Sequence, residues 1–452
     1  MHDDPLDNQP NVRVCGKRGK VLQTWVKEVL LGATGAKERM SIRHMLIVVT
    51  GVMITFGCSA LCFSTWGSFQ PVVAGSLGIE KTAFALYVTI MYLAMTVASP
   101  FAGKLLQTVD ARILLSVCAC LVGGAFFLMS LAPTIEWFYA AGILLGVGEV
   151  VLLWLAVPTL INNWFVERGG FFIGICMCMT GVGGAVWNAV FTALVSSGMD
   201  FHDIYRIWAF IALATSLPFT LLAVRTRPQD VGLLPYGASS NSGGASAKPR
   251  GLSVKDAMKS PVFYAICLFA GLINIAILIA MQFPSYARSL TDAPFDVVVV
   301  GGVMATVMMV GQAIAKVTLG GLADKNARGT LLFAFTCGVV GILLCWFGFA
   351  SEYLLYSGAF VFGFMYATAV TLVPIMVRQI FGTREYSLIY SRISSVFNLV
   401  ASFAALIWAG IQQSVFGFTG VFIAGISMLV VVLLIGLYCF GKQKSIVDRW
   451  TE

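Results

Sequence analysis

The chain has 452 residues, of which 58% are hydrophobic and only 11% are charged, with a mean hydropathy of +0.88 and a formal net charge of +8. So little polar surface excludes a soluble globular protein and indicates an integral membrane protein. The basic residues are spread over loops and tails without a concentrated face, which argues against a nucleic-acid partner. Because the sequence holds no GxxxxGK[ST] phosphate loop and no catalytic cluster, it predicts neither ATP hydrolysis nor another enzyme activity.

Twelve apolar runs are long enough to cross a hydrocarbon core, which takes about 20 helical residues. Continuous runs of this kind favour helices over the short alternating strands of a membrane barrel. The predicted helices cover residues 45–71, 82–106, 113–132, 137–164, 170–195, 205–224, 261–283, 297–319, 330–350, 353–377, 387–411 and 421–440.

The distribution of Lys and Arg predicts the orientation. If the amino terminus is cytoplasmic, the outside loops hold only Lys81, Arg206 and Arg288 of the 29 basic residues, and Lys316 lies inside a helix. This asymmetry follows the positive-inside rule and places both termini in the cytoplasm.

Polar segments divide the chain into five parts. We expect a cytoplasmic tail over residues 1–43, a six-helix half over 44–224, a linker over 225–260, a second six-helix half over 261–440 and a C-terminal tail over 441–452. Residues 27–39 could form a helix on the lipid surface or remain a solvated tail. The Gly, Ser and Pro content of the linker is typical of flexible connections.

The two halves are related by an internal repeat. Residues of structurally costly types recur at an offset of 216 positions, namely Gly142 and Gly358, Pro158 and Pro374, Phe165 and Phe381, Arg112 and Arg328, and Arg168 and Arg384. Two six-helix repeats with a site between them are typical of secondary transporters that alternate access by rocking one half against the other.

Cysteine and histidine do not point to a metal or a cofactor. The eleven cysteines lie mostly within predicted helices and form no CxxC pair, so we interpret them as small core residues. The three histidines, His2, His44 and His202, fall at or outside the membrane edges. We therefore expect no cofactor, no metal site and no buried histidine proton relay.

Two ionisable residues stand out inside apolar sequence, Lys316 in the eighth helix and Glu149 near the middle of the fourth. A charge at the bilayer centre costs at least about 2.5 kcal/mol, so such residues are candidates for a transport pathway. Lys316 could instead extend its stem toward the headgroups, because it lies only about 12 Å along the helix from Asp324. Glu149 is our proton-coupling candidate, as a proton site or as a counter-ion to Lys316, with a structural hydrogen-bonded role left open.

The stretch GGLADKNAR at the end of the eighth helix resembles the cytoplasmic loop motif of the major facilitator superfamily, with Gly320, Leu322, Asp324 and Arg328 in register. The matching loop after the second helix, GKLLQTVDAR, keeps Gly103 and Arg112 but has Gln107 in place of the acid. The resemblance implies a twelve-helix all-α fold and a cytoplasmic gate formed by Gly103, Arg112, Gly320, Asp324 and Arg328.

Further stretches, including NNWFVERGGFFIG and RPQDVGLLPYG, resemble the monocarboxylate transporter and oxalate/formate antiporter branch. In that branch a cation of the eighth helix binds the substrate carboxylate, and the resemblance implies this role for Lys316, with Gln312 one turn earlier. It implies a second cation near Arg392, for which an interfacial anchor is the alternative reading. Since the first helix lacks the lysine of the animal transporters, a monocarboxylate is better supported than a dicarboxylate.

The resemblance also assigns aromatic and amide residues to the central passage, although any one of them could be a packing residue. The members of this set are Trp66, Trp187, Asn188, Asn274, Gln282, Tyr366 and Asn398.

We therefore predict a secondary active transporter for a small organic anion, a mono- or dicarboxylate, driven by protons or by exchange. The alternatives are efflux of a larger amphipathic compound and a non-transporting membrane sensor. The expected partners are the substrate anion, the lipid bilayer and protons, and the expected location is a plasma membrane, a bacterial inner membrane above others. Oligomeric state, direction of flux and the coupling ion stay open.

Overall fold

A computed structural model describes residues 40–238, 250–290 and 293–450. Eleven helices in these ranges are long and apolar enough to cross a membrane. One of them, Val297–Phe347, has a non-helical residue at Asn326 (φ −154°, ψ 89°) and consists of two consecutive helices. The architecture is all-α with twelve membrane helices, as predicted. Residues 27–39, for which the sequence left a surface helix and a solvated tail as alternatives, lie outside the described residues.

The membrane helices are numbered α1 to α12 in chain order. They are α1 Ile42–Leu77, α2 Lys81–Thr108, α3 Ala111–Met129, α4 Ile135–Trp164, α5 Gly169–Ser196, α6 Phe201–Leu222, α7 Pro261–Arg288, α8 297–325, α9 327–347, α10 Glu352–Phe381, α11 Tyr386–Gln413 and α12 Gly417–Gly441. Short helices follow at Val254–Met258 in the linker and at Gln443–Val447 after α12.

Two membrane helices contain a π-helical turn, Thr55–Ser59 in α1 and Val150–Ala156 in α4. A π turn disturbs the regular ladder and frees carbonyl groups, which need partners in a membrane. In α1 the indole N–H of Trp187 donates to the Phe56 carbonyl at 2.7 Å, and the Thr55 hydroxyl donates to the Cys176 carbonyl at 2.6 Å. Both partners lie on α5, so the π turn of α1 is stabilised by its neighbour.

The linker is attached to both halves near the carboxyl end of the fourth helix of each repeat. The Tyr236 N–H donates to the Trp164 carbonyl at 2.8 Å, and the Leu252 N–H donates to the Phe381 carbonyl at 2.9 Å. The side of the molecule that carries the linker, with the loops 109–110, 165–168 and 382–385 and the break at Asn326, is called the linker face below.

Two seams join the halves on the linker face. In the first, α2 meets α11 through serine hydroxyls: Ser99 donates to the Ser391 carbonyl at 2.7 Å, Ser395 to the Thr96 carbonyl at 2.6 Å and Ser387 to the Gly103 carbonyl at 3.2 Å. The second seam joins α5 to α8.

The two seams bring the halves into contact along the linker face. The described conformation is therefore closed on this face.

Candidate functional site

The α5–α8 seam is close because glycines lie on both helices. A Cβ on Gly170 would come within 2.6 Å of the Gly320 carbonyl, and a Cβ on Gly174 would overlap the carbonyl of Lys316. Further along, a Cβ on Gly181 would lie 3.2 Å from the Met309 carbonyl. Small residues therefore allow the two backbones to touch, as at many membrane helix interfaces.

Lys316 points into this seam. Its Nζ donates to the Thr180 hydroxyl of α5 at 2.6 Å and to the side-chain amide oxygen Oε1 of Gln312, one turn earlier on α8, at 2.9 Å. Only 3% of Lys316 is exposed. These two bonds use two of the three donors of the ammonium, so a third N–H is available for another acceptor.

No carboxylate of the described residues forms an ion pair with the Lys316 ammonium. Ion pairs of other basic residues, Arg112 with Asp110, Arg206 with Asp203 and Lys259 with Asp256, involve partly exposed side chains. An unpaired ammonium inside the membrane is costly, and a bound anion would offset that cost. Snorkelling is not what the geometry shows, because the ammonium is hydrogen-bonded within the seam.

Of the other predicted substrate contacts, Gln312 shares a hydrogen bond with Lys316, and the roles of the rest stay predictions. Asn188 donates to the carbonyls of Ser64 at 3.0 Å and Gly184 at 2.7 Å, both within its own half. Trp66 and Tyr366 are partly buried on α1 and α10. Asn398 of α11 is fully buried, and its amide oxygen is without a hydrogen-bond partner.

Arg392 lies near the linker. Its Nη1 is 3.1 Å from the sulfur of Met258, in the short linker helix Val254–Met258. This contact with the linker helix is the kind that an interfacial anchor makes. The choice between an anchor and a substrate contact for Arg392 stays a prediction.

Glu149 is fully buried where α4 enters its π turn. Its Oε2 accepts a hydrogen bond from Ser59 at 2.8 Å, and Ser59 ends the π turn of α1. Its Oε1 is buried without a hydrogen-bond partner. The contacts of Glu149 therefore lie within the first half, and they do not include Lys316.

The predicted gate residues separate into two groups. Gly103 and Gly320 lie in the α2–α11 and α5–α8 seams. Asp324 accepts from the backbone N–H groups of Gly170 at 2.8 Å and Phe171 at 2.9 Å, at the amino end of α5. A carboxylate at this end of a helix is stabilised by the helix dipole.

Arg112 and Arg328 are not part of these contacts. Arg112 pairs with Asp110 at 2.8 Å, and its side chain is 40% exposed. Arg328 is exposed at the start of α9. The partner of Asp324 across the halves is therefore the backbone of α5.

Sequence reasoning did not single out Arg378 or Thr180. Arg378 of α10 donates to the Asn162 side chain at 3.0 Å and to the Phe165 carbonyl at 3.1 Å, both on the first half. Asn162 and Arg378 are themselves 216 positions apart, so the repeat offset could have paired them. Thr180 carries no such signal, because a threonine in an apolar helix is common.

Taken together, the features above define a membrane transporter built from two six-helix halves, with a buried cation and a closed seam between them. The sequence profile of the Major Facilitator Superfamily matches residues 52–312 and 298–446. Since this match covers more than half of the chain, the protein belongs to the major facilitator superfamily, and it is a transporter, not an enzyme.

Relatives and solved structures agree with this family. The chain is similar to the uncharacterized MFS-type transporter YhjX of Escherichia coli, with 22% identity over 72% of this chain and 79% of the relative. It is also similar to the MFS transporter asaE of Aspergillus flavus, with 22% identity over 75% of this chain and 73% of the relative. A crystal structure of the human organic anion transporter MFSD10 shares the fold, with a TM-score of 0.65, 14% identity, and coverage of 88% of this chain and all of that one.

Proposed function

We propose that the chain moves a small organic anion across the membrane by alternating access, with Lys316 binding the anionic group. The observation that carries this proposal is the buried ammonium of Lys316, which lies between the two halves without a carboxylate partner among the described residues. A carboxylate would take the free N–H and neutralise the charge. Because Thr180 and Lys316 lie on different halves, binding at this point can respond to the seam's opening and closing.

A monocarboxylate is the better fit. Lys316 is the cation of the α5–α8 seam, whereas Arg392 contacts Met258 of the linker. A second carboxylate bound near Lys316 would lack a cation there and would be buried at a cost. This argument supports the monocarboxylate branch over dicarboxylate exchange.

The test is uptake by purified protein in lipid vesicles, with a panel of short mono- and dicarboxylates. The Lys316→Gln variant should take up the best substrate at least tenfold more slowly than the wild type. Lys104→Gln, which removes an exposed charge of α2, should take it up at the wild-type rate. Transport by Lys316→Gln at the wild-type rate would overturn the role of Lys316. Transport of larger amphipathic compounds alone would favour efflux as the function.

We propose Glu149 as the proton site. Its free Oε1 in an apolar pocket can hold a proton, and its link to Ser59 joins the π turns of α1 and α4. Uptake by Glu149→Gln should no longer respond to a pH gradient, whereas Glu136→Gln, at the exposed start of the same helix, should respond as the wild type does. An unchanged pH response of Glu149→Gln contradicts this assignment.

The proposed orientation has the linker face and both termini in the cytoplasm, in a bacterial inner membrane. It rests on the charge of the linker face, since the outside loops hold few of the 29 basic residues. The described conformation would then be closed to the cytoplasm.

A further inference from the structure

Opposite charges from the second half meet both ends of one loop of the first half. The loop is residues 165–168, which joins the carboxyl end of α4 to the amino end of α5. Asp324 accepts hydrogen bonds from the N–H groups of Gly170 and Phe171, in the first turn of α5. Arg378 donates to the carbonyls of Phe165 and Val166 at 3.1 and 3.3 Å, at the carboxyl end of α4.

Each charge matches the helix end that it contacts. The carboxyl end of a helix carries a partial negative charge and unpaired carbonyls, and the amino end carries a partial positive charge and unpaired N–H groups. The guanidinium of Arg378 satisfies the first end, and the carboxylate of Asp324 satisfies the second. The planar fork of arginine also reaches Asn162 at 3.0 Å, which a lysine could not do at the same time.

The loop is shaped to receive the guanidinium. Gly169 leaves the space that Arg378 fills, because a Cβ at Gly169 would overlap Nη1 of Arg378. Arg168 adopts a left-handed backbone conformation with φ at 56°, and it is the only residue other than glycine with a positive φ among those that the structure describes. Such a conformation is strained and persists where surrounding contacts hold it.

We propose that Arg378 is a gating residue of the transport cycle, which together with Asp324 clamps the loop 165–168 and must withdraw before the linker face opens. The clamp is asymmetric, because the repeat position equivalent to Arg378 holds Asn162, which serves as its acceptor. The second half therefore supplies both charges and the first half supplies both helix ends. This inference rests on the superfamily's alternating access and does not depend on which substrate Lys316 binds.

The experiment is hydrogen exchange of the full chain in lipid nanodiscs, followed by peptide mass spectrometry. In Arg378→Gln, peptides covering residues 165–171 should exchange at least tenfold faster, while peptides at the opposite face, around residues 130–135 and 197–202, should not speed up. Arg378→Lys should fall between Arg378→Gln and the wild type. Lys325→Gln, which removes an exposed charge of the same face, should exchange as the wild type does.

A second variant keeps Arg378 but fills the space beside Gly169 that its guanidinium occupies. Gly169→Ala should displace the guanidinium and speed the exchange of the same peptides, again at the linker face only. Equal acceleration at both faces would show general destabilisation and would overturn the gating role. Exchange of residues 165–171 within twofold of the wild type in Arg378→Gln would overturn it as well.

Discussion

The seam between α5 and α8 can be opened by a single methyl group. In Gly174→Ala the added carbon would overlap the Lys316 carbonyl and would lie 3.0 Å from the Lys316 carbonyl carbon and 3.1 Å from the Val317 Cα. Ordinary contacts between carbon atoms are about 3.5–4.0 Å. These neighbours are backbone atoms, which cannot rotate aside as a side chain would, so the helices must separate by roughly 0.5–1 Å.

The cost of this separation falls on the closed conformation. Overpacking of this kind costs about 1–3 kcal/mol. Because α5 and α8 belong to different halves, the open conformation does not bear this cost, and the ratio of closed to open molecules should fall by roughly 5–150-fold. The fraction of molecules in which the site at Lys316 is accessible to water should rise as this ratio falls.

Labelling of Cys178 by a water-soluble maleimide in nanodiscs measures this accessibility. Cys178 lies on α5 between Gly174 and Thr180, and only 7% of it is exposed. Peptide mass spectrometry should show faster modification of Cys178 in Gly174→Ala, by at least fivefold. Gly302→Ala is the control, because it adds the same methyl group to α8, the other helix of the seam, at a position where the Cβ meets no described atom within 4 Å. Labelling at the wild-type rate in Gly174→Ala would refute the argument that this seam closes the linker face.

Three further substitutions have defined outcomes. Thr180→Val removes an acceptor of Lys316 and should raise the KM of anion uptake by about 10–150-fold, since a hydrogen bond to a charged group contributes about 1.5–3 kcal/mol. An unchanged KM would contradict this. Trp187→Phe leaves a carbonyl of the α1 π turn without its donor and should lower the unfolding free energy by about 1 kcal/mol, read as a melting temperature in detergent. The hydrogen bond from the Arg112 side chain holds the pKa of Asp110 below its ordinary value. The ionised carboxylate therefore stabilises the fold above the unfolded pKa of about 3.9. This contribution is lost as the pH falls through the lower folded pKa. Asp110→Asn should therefore lower the unfolding free energy at pH 7 by about 0.5 kcal/mol or less, because the side chain is this exposed. Melting curves recorded at decreasing pH should show the difference from the wild type shrinking once the pH falls below the unfolded pKa.

The twelve helices could be predicted because a membrane demands long apolar segments, and because the repeat at 216 positions pairs α4 with α10. The sequence predicted a break between the eighth and ninth helices over residues 320–329, whereas the structure breaks the helix at Asn326 and keeps helical structure on either side of it. The π turns of α1 and α4 were not predicted, since their stability comes from partners such as Trp187, which are distant in sequence.

The sequence could predict only those site residues whose burial follows from the apolar sequence around them. A lysine in an apolar helix stands out, and Lys316 is indeed buried with Gln312. The gate was harder, because the hydrogen bonds of its acid across the halves come from backbone groups of α5. Residue type alone cannot show that Asp324 faces the amino end of another helix, nor that Arg378 faces the carboxyl end of α4.

The segments that follow the sixth and twelfth helices end in equivalent places. Tyr236 caps the Trp164 carbonyl through its backbone, and Trp450 caps the carbonyl of Ile380, 216 positions later, through its indole N–H at 3.1 Å. Each trailing segment thus contributes a donor to the carboxyl end of the fourth helix in its own repeat. For protein engineering, a fusion partner that replaces the residues after Gly441 would remove the donor of Trp450, whereas one placed after Trp450 would leave it intact.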